Sequence, residues 1–177
     1  MPPAPVFAER LNEQIAHEFA AHQQYVACAV FYDAEALPQL GRFFYRQALE
    51  EREHALMMVR FLLDTGAEVT TPGVEEPRSR FENVVEPIAL ALAQEQRVTE
   101  QINALAATAR EAGDFTSEQF IQWFIKEQTE EVATMSNLLR VAERSREDPA
   151  VIEDFIAREQ PGDDATDPTA PTAAGSG

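Results

Sequence analysis

The sequence predicts an all-α protein: a four-helix bundle with one long crossover between its second and third helices, and a short fifth helix. Three observations predict it. The chain has 11 prolines, yet none lies in 6–37, 39–71 or 88–148, and a proline inside a helix removes a backbone hydrogen bond. Those stretches are rich in Ala, Leu, Glu, Gln and Arg, all strong helix formers. Apolar residues recur at steps of three and four, while the period-2 alternation of a strand is absent throughout.

The first helix, α1, is expected near 6–34. The second, α2, is expected near 38–65, with Pro38 as its opening residue and Gly66 as its stop. Helix α3 is expected near 84–111 and is stopped by Gly113. Helix α4 is expected near 117–145, because Thr116-Ser117-Glu118-Gln119 has capping-box spacing. Asp148-Pro149 then opens a short α5 near 149–159, whose Val151, Ile152, Phe155 and Ile156 make an apolar face in need of a partner. Residues 161–177 hold three prolines, three glycines and nothing apolar larger than alanine. The expected organisation is therefore a bundle over 1–160 and a disordered or weakly ordered tail over 161–177.

Loop lengths set the topology. Short α1–α2 and α3–α4 connections make antiparallel hairpins. The segment from about Asp64 to Asn83 reaches up to ~60 Å when extended, and a helix of this size is about 42 Å long. The segment can cross the whole bundle, which places α2 and α3 parallel.

Composition narrows the function. At 177 residues with 45% apolar side chains, the chain can build one substantial core. Asp and Glu outnumber Lys and Arg by 31 to 14, a net charge of −17, which disfavours nucleic acid and anionic membranes and favours cations. One cysteine, Cys28, excludes an internal disulfide or a cysteine-cluster metal site. No run approaches the length of a membrane helix, and Met1–Val6 does not read as a secretion signal. A cytoplasmic protein is expected.

The polar residues on the core stripes point to chemistry. Stepping by three and four, α1 presents Leu11, Ile15, Glu18, His22, Tyr25, Ala29 and Tyr32, and α2 presents Leu40, Phe44, Gln47, Glu51, His54, Met58 and Phe61. Helix α3 presents Val84, Ile88, Ala91, Glu95, Val98, Ile102, Leu105 and Ala109. Helix α4 presents Ile121, Phe124, Gln128, Glu131, Met135, Leu138 and Ala142. An acid interrupts every stripe near its midpoint, so Glu18, Glu51, His54, Glu95, Gln128 and Glu131 should meet in one layer. No Lys or Arg lies on the stripes, so either the acids are protonated or cations sit among them. Oxygen donors with a single nitrogen suit iron or manganese better than a thiolate-type zinc site.

Glu18…Tyr25…Glu51-x-x-His54…Glu95…Gln128-x-x-Glu131 resembles the non-haem bacterial ferritins, specifically an actinobacterial ferritin-B type with an extended C-terminal tail. Gln23-Gln24-Tyr25, Glu50-Glu51-Arg52-Glu53-His54 and Gln122-Trp123-Phe124 are also similar to that family. The resemblance covers roughly 6–159 and implies a ferritin-like four-helix bundle that stores iron and oxidises Fe(II) with dioxygen or peroxide. It implies that Glu18, Glu51 and His54 bind one iron and that Glu51, Glu95 and Glu131 bind a second. Gln128 would lie near the oxygen and Tyr25 beside the centre, and a third iron would fall to Glu50, Glu127, Glu130 and Glu131. It further implies a shell of twenty-four subunits. Only one Glu-x-x-His is present. Gln128-Thr129-Glu130-Glu131 stands where symmetric di-iron bundles carry a second. Arg52 follows Glu51 where similar bacterioferritins carry a haem-ligating methionine, so no haem is expected.

Two other readings remain open on the sequence. A DNA-protecting mini-ferritin would use sites between subunits and often carries a basic tail, whereas this tail offers Asp163, Asp164 and Asp167. A structural bundle would use its buried acids only to set register. Among the other polar residues, His22 reads as a hydrogen-bonded core histidine, His17 as solvated, and Cys28 as a small buried hydrophobe. Trp123 reads as packing close to the centre, and Glu53 as either a surface acid or one facing the same acidic group.

Overall fold

The computed structural model describes residues 2–162 and 167–176. Its helices are α1 (Pro5–Ala34), α2 (Pro38–Thr65), α3 (Glu86–Glu111), α4 (Phe115–Arg144) and α5 (Pro149–Glu159). Among the described residues there is no strand, and no helix is long and apolar enough to cross a membrane.

Local chemistry explains where the helices begin and end. Proline occupies the first turn of α1, α2, α3 and α5, where its missing N–H costs nothing. Gly66 closes α2 in the left-handed region at φ 76°, a conformation glycine adopts without a Cβ penalty. The expected start of α3 at Val84 moves to Glu86, because the Asn83 side chain accepts from the backbone N–H groups of Val85 and Glu86 (3.0 and 3.2 Å). The cap of α4 is Asp114, which corrects the expected capping box at Thr116. Its carboxylate accepts from Ser117 N (3.1 Å), Ser117 Oγ (2.7 Å) and the Ala4 backbone N–H (2.8 Å). Asp114→Ala should destabilise the protein by about 1–2 kcal/mol, read as a lower melting temperature. An unchanged melt would show that the cap is idle.

Two apolar clusters fill the bundle, one on each side of a polar layer. In sequence order α1 passes from Phe7, Leu11 and Ile15 in one cluster to Tyr25, Ala29 and Tyr32 in the other. Helix α2 runs the opposite way, from Leu40, Phe44 and Ala48 to Met58 and Leu62. Helix α3 runs as α2 does, from Ile88 and Ala91 to Ile102 and Leu105, and α4 returns from Ile121 and Phe124 to Leu138 and Ala142. Helices α2 and α3 are therefore parallel, as the length of the crossover required. That crossover lies along α1: Asn12 bonds Glu68 O and Thr70 N, Gln24 bonds Arg78, and Tyr32 OH donates to Val84 O.

Helix α5 closes one end of the bundle. Ile152 and Ile156 are buried in the cluster that holds Phe43 and Phe44. The Glu153 carboxylate accepts from Gln39 N and Leu40 N (2.9 and 2.8 Å), satisfying orphan donors at the positive end of α2. The tail has no apolar side chain larger than alanine and was expected to be disordered or weakly ordered, and its described part makes contacts with the bundle. Arg46 donates to Pro161 O, Ala174 N donates to Leu56 O at 3.0 Å, and Ala173 is buried. Polar contacts, which need no large apolar side chain, account for the difference. Asp163 and Asp164 lie outside the described residues.

Candidate metal centre

The polar layer between the two clusters is the site. Every acid placed there from the stripes is buried: Glu18, Glu51, Glu95 and Glu131 are at most 6% exposed, as are His54 and Gln128. Periodicity explains the convergence. On α2, Glu51 and His54 are one turn apart, as Gln128 and Glu131 are on α4, so each pair shares a face. On α1, Tyr25 lies two turns beyond Glu18. Because each helix is interrupted at the same height, six side chains from four helices meet.

Glu18, Glu51 and His54 each offer one ligand atom, and those atoms lie within 4.8 Å of one another. His54 Nδ1 is 3.5 Å from Glu51 Oε2 and 4.0 Å from Glu18 Oε2. Glu18 Oε1 accepts from Gln14 Nε2 at 2.8 Å, while its Oε2 is buried with no hydrogen-bond partner. On the other side, the Tyr25 hydroxyl donates to Glu95, and Gln128 Nε2 donates to Glu95 Oε2 at 3.0 Å and to its backbone oxygen at 3.2 Å.

The electrostatics follow from burial without a counter-charge. Desolvation and then the charges of Glu95, Glu18 and Glu131 push Glu51 well above the usual carboxylate range. Glu131 is raised by burial and by Glu95. Glu95 rises to about 7, burial outweighing the hydrogen bonds from Tyr25 and Gln128. Burial lowers His54, which favours the neutral imidazole that a metal needs, and burial raises the Tyr25 phenol. No buried Lys or Arg occurs among the described residues. An uncompensated layer of buried carboxylates with a single imidazole fits a divalent cation such as ferrous iron.

Beside this layer opens a cavity of about 550 Å3, lined by Glu50, Glu53, His54, Trp123, Glu127, Glu130, Glu131 and the tail residues Gly162, Asp167 and Ala170. Glu50, Glu127 and Glu130 thus share one mouth with Glu131, and Gln47 Nε2 donates to Glu50.

A ferritin-like domain matches residues 8–145. The chain belongs to the ferritin family. It is 53% identical over 169 residues to Ferritin BfrB of Mycolicibacterium smegmatis, covering 96% of this chain and 93% of that one. It is 34% identical over 140 residues to a bacterial non-heme ferritin of Staphylococcus aureus, covering 79% and 84%. The solved open pore ferritin of Archaeoglobus fulgidus superposes with a TM-score of 0.83 at 28% identity, covering 86% and 94%. Relatives, solved structures and the buried Glu18–Glu51–His54 group together support iron storage by a non-haem ferritin of the BfrB type.

Outside the layer, the lesser assignments divide. His22 Nδ1 bonds Ala48 O at 2.6 Å, in line with a hydrogen-bonded structural histidine. His17 is exposed, and Cys28 is buried with its thiol pushed up to about 12 by desolvation. Stripe reading missed Gln14, buried at 2% and bonded to Glu18. Its position one turn before Glu18 was the available signal.

Proposed function

We propose that this ferritin is a ferroxidase, taking up Fe(II) as substrate and storing the ferric product inside an oligomeric shell. The observation that carries the reading is the buried Glu18–Glu51–His54 group, whose ligand atoms lie within 4.8 Å of one another and whose acids have no buried Lys or Arg beside them among the described residues. Glu18, Glu51 and His54 hold one iron, and Glu51, Glu95 and Glu131 hold a second, with Glu51 shared. Gln128 and the Tyr25 hydroxyl keep Glu95 turned toward the layer. Two ferrous ions each give one electron, and dioxygen or peroxide receives them. Glu50, Glu127 and Glu130, with Glu131, form a third site in the adjoining cavity through which the product leaves.

The shell reading draws on exposed apolar side chains. Phe115 is 78% exposed, and Leu63, Val30 and Leu49 are each more than half exposed, so these side chains are available for burial against further copies. A shell of twenty-four subunits in the cytoplasm, without haem and without nucleic acid or membrane as partner, completes the reading.

The deciding measurement is oxygen consumption by purified metal-free protein on adding Fe(II). Rapid uptake that saturates near two Fe(II) per subunit is expected. Uptake no faster than that of Fe(II) alone in the same buffer would leave a structural helical bundle as the better account.

A further inference from the structure

We infer that Asp167, on the C-terminal segment, is a positioning residue for His54 and acts through the indole of Trp123. Trp123 Nε1 donates to Asp167 Oδ2 at 3.2 Å, and Lys126 Nζ reaches the same oxygen at 3.0 Å. The other carboxylate oxygen accepts from Thr169 N and Thr169 Oγ1 at 2.8 and 2.6 Å. Asp167 is therefore no loose surface acid. Both its oxygens are bound, and the segment that carries it is pinned further on, where Ala174 N donates to Leu56 O and Ala173 is buried.

The link from the indole to the candidate ligand is direct. The Trp123 ring stands edge-on to His54 at a centroid distance of 5.7 Å, and Phe124 stands edge-on at 5.8 Å. Beside the Glu18 and Glu51 carboxylates at Nδ1, these two rings flank the imidazole. A metal-binding histidine is usually oriented by a carboxylate, a carbonyl or a water on its other ring nitrogen. No such partner is present for His54 among the described residues, and the ring lines the cavity. The flanking rings are therefore what the described residues contribute to holding the imidazole plane. Phe124 is fully buried and locked by the core, whereas Trp123 is half-buried at the cavity wall and has a single polar handle. Asp167 holds that handle. The C-terminal segment thus reaches the metal layer through two contacts, carboxylate to indole and indole to imidazole.

The inference rests on the proposed reading of His54 as a ligand, and the test keeps the two apart. The assembled full-length protein, free of metal, is read by the emission of its single tryptophan and by Co(II) titration, which follows ligand-field absorption without turnover. Asp167→Ala should shift the emission to the red, make it easier to quench with acrylamide, and weaken the tightest Co(II) site. About tenfold is expected, the low end of the loss when a group behind a ligand is removed. Asp167→Asn retains an acceptor oxygen and should restore most of the affinity. In a Trp123→Phe background, which keeps a ring but no N–H, Asp167→Ala should change Co(II) affinity no further. An Asp167→Ala effect of equal size in that background would overturn the inference. So would an emission shift with unchanged Co(II) affinity, since Asp167 would then only tether the tail. Wild-type protein that binds no Co(II) would instead overturn the reading of His54 as a ligand, and this inference with it.

Discussion

Glu51→Ala should all but abolish rapid Fe(II) oxidation, by about 100-fold or more, given that losing even a group behind a ligand costs 10–100-fold. Glu51 lies 3.5 Å from His54, and its proton affinity responds to Glu18, Glu95 and Glu131. On the proposed assignment it is the carboxylate shared by the two irons, and it feels the charges of Glu18 on one side and of Glu95 and Glu131 on the other. On that assignment its loss takes a ligand from each iron at once and widens the gap between the remaining acids. The fold should survive, because the two apolar clusters lie away from this residue and removing a buried acid relieves repulsion. Stopped-flow absorbance after Fe(II) addition, beside light scattering of the same sample, separates activity from assembly. Glu18→Ala should be milder, since it removes a ligand from one iron only. A Glu51→Ala protein that oxidises iron as fast as Glu18→Ala and wild type would end the shared-ligand assignment.

Most of the bundle was legible because helical periodicity is a local signal. Of the stripes read at steps of three and four, all of α4 from Ile121 to Ala142 is buried, and so is α3 from Ile88 to Ala109. Phe61 and Val84, each at the end of its stripe, are half-buried, and so is His22 between Glu18 and Tyr25. The acid layer was legible for a related reason: helices of similar length with short turns bring their midpoints to one height, whatever their identity. Contacts that depend on a distant partner were not legible. Asp114 caps α4 partly because it also meets Ala4, 110 residues away. Glu153 caps α2 across the fold, and Asp167 finds Trp123 and Lys126 from a stretch of Pro, Thr and Ala. A composition argument measures whether a segment can bury apolar area. It is blind to a carboxylate that meets an indole N–H and an ammonium already held in place.

Metal-free Glu95→Gln should be more stable than metal-free wild type at pH 8, and should lose that advantage on going to pH 5. Glu95 is 1% exposed and has its pKa raised to about 7 by desolvation, against 4.5 for the free side chain. For an acid raised on folding, the folded state keeps a proton that the unfolded chain gives up. Stability therefore falls as pH climbs from 4.5 to about 7 and stays low above it, a penalty of about 3 kcal/mol. Glutamine does not titrate and escapes it. The amide carries its own cost, because Gln128 now faces a donor where Glu95 Oε2 accepted its hydrogen bond. Turning the Gln128 amide repairs that contact but surrenders the 3.2 Å bond to the Glu95 backbone oxygen, at about 1 kcal/mol. The expected net gain is about 2 kcal/mol at pH 8, whereas at pH 5 the remaining penalty of about 0.8 kcal/mol nearly offsets the hydrogen-bond cost and the variant melts at or slightly below wild type. Melting curves in excess chelator at the two pH values test this change of sign. A variant that melts below wild type at both pH values would mean that Glu95 is a well-satisfied carboxylate in the metal-free protein. The acid layer would then carry no electrostatic strain for a bound cation to relieve.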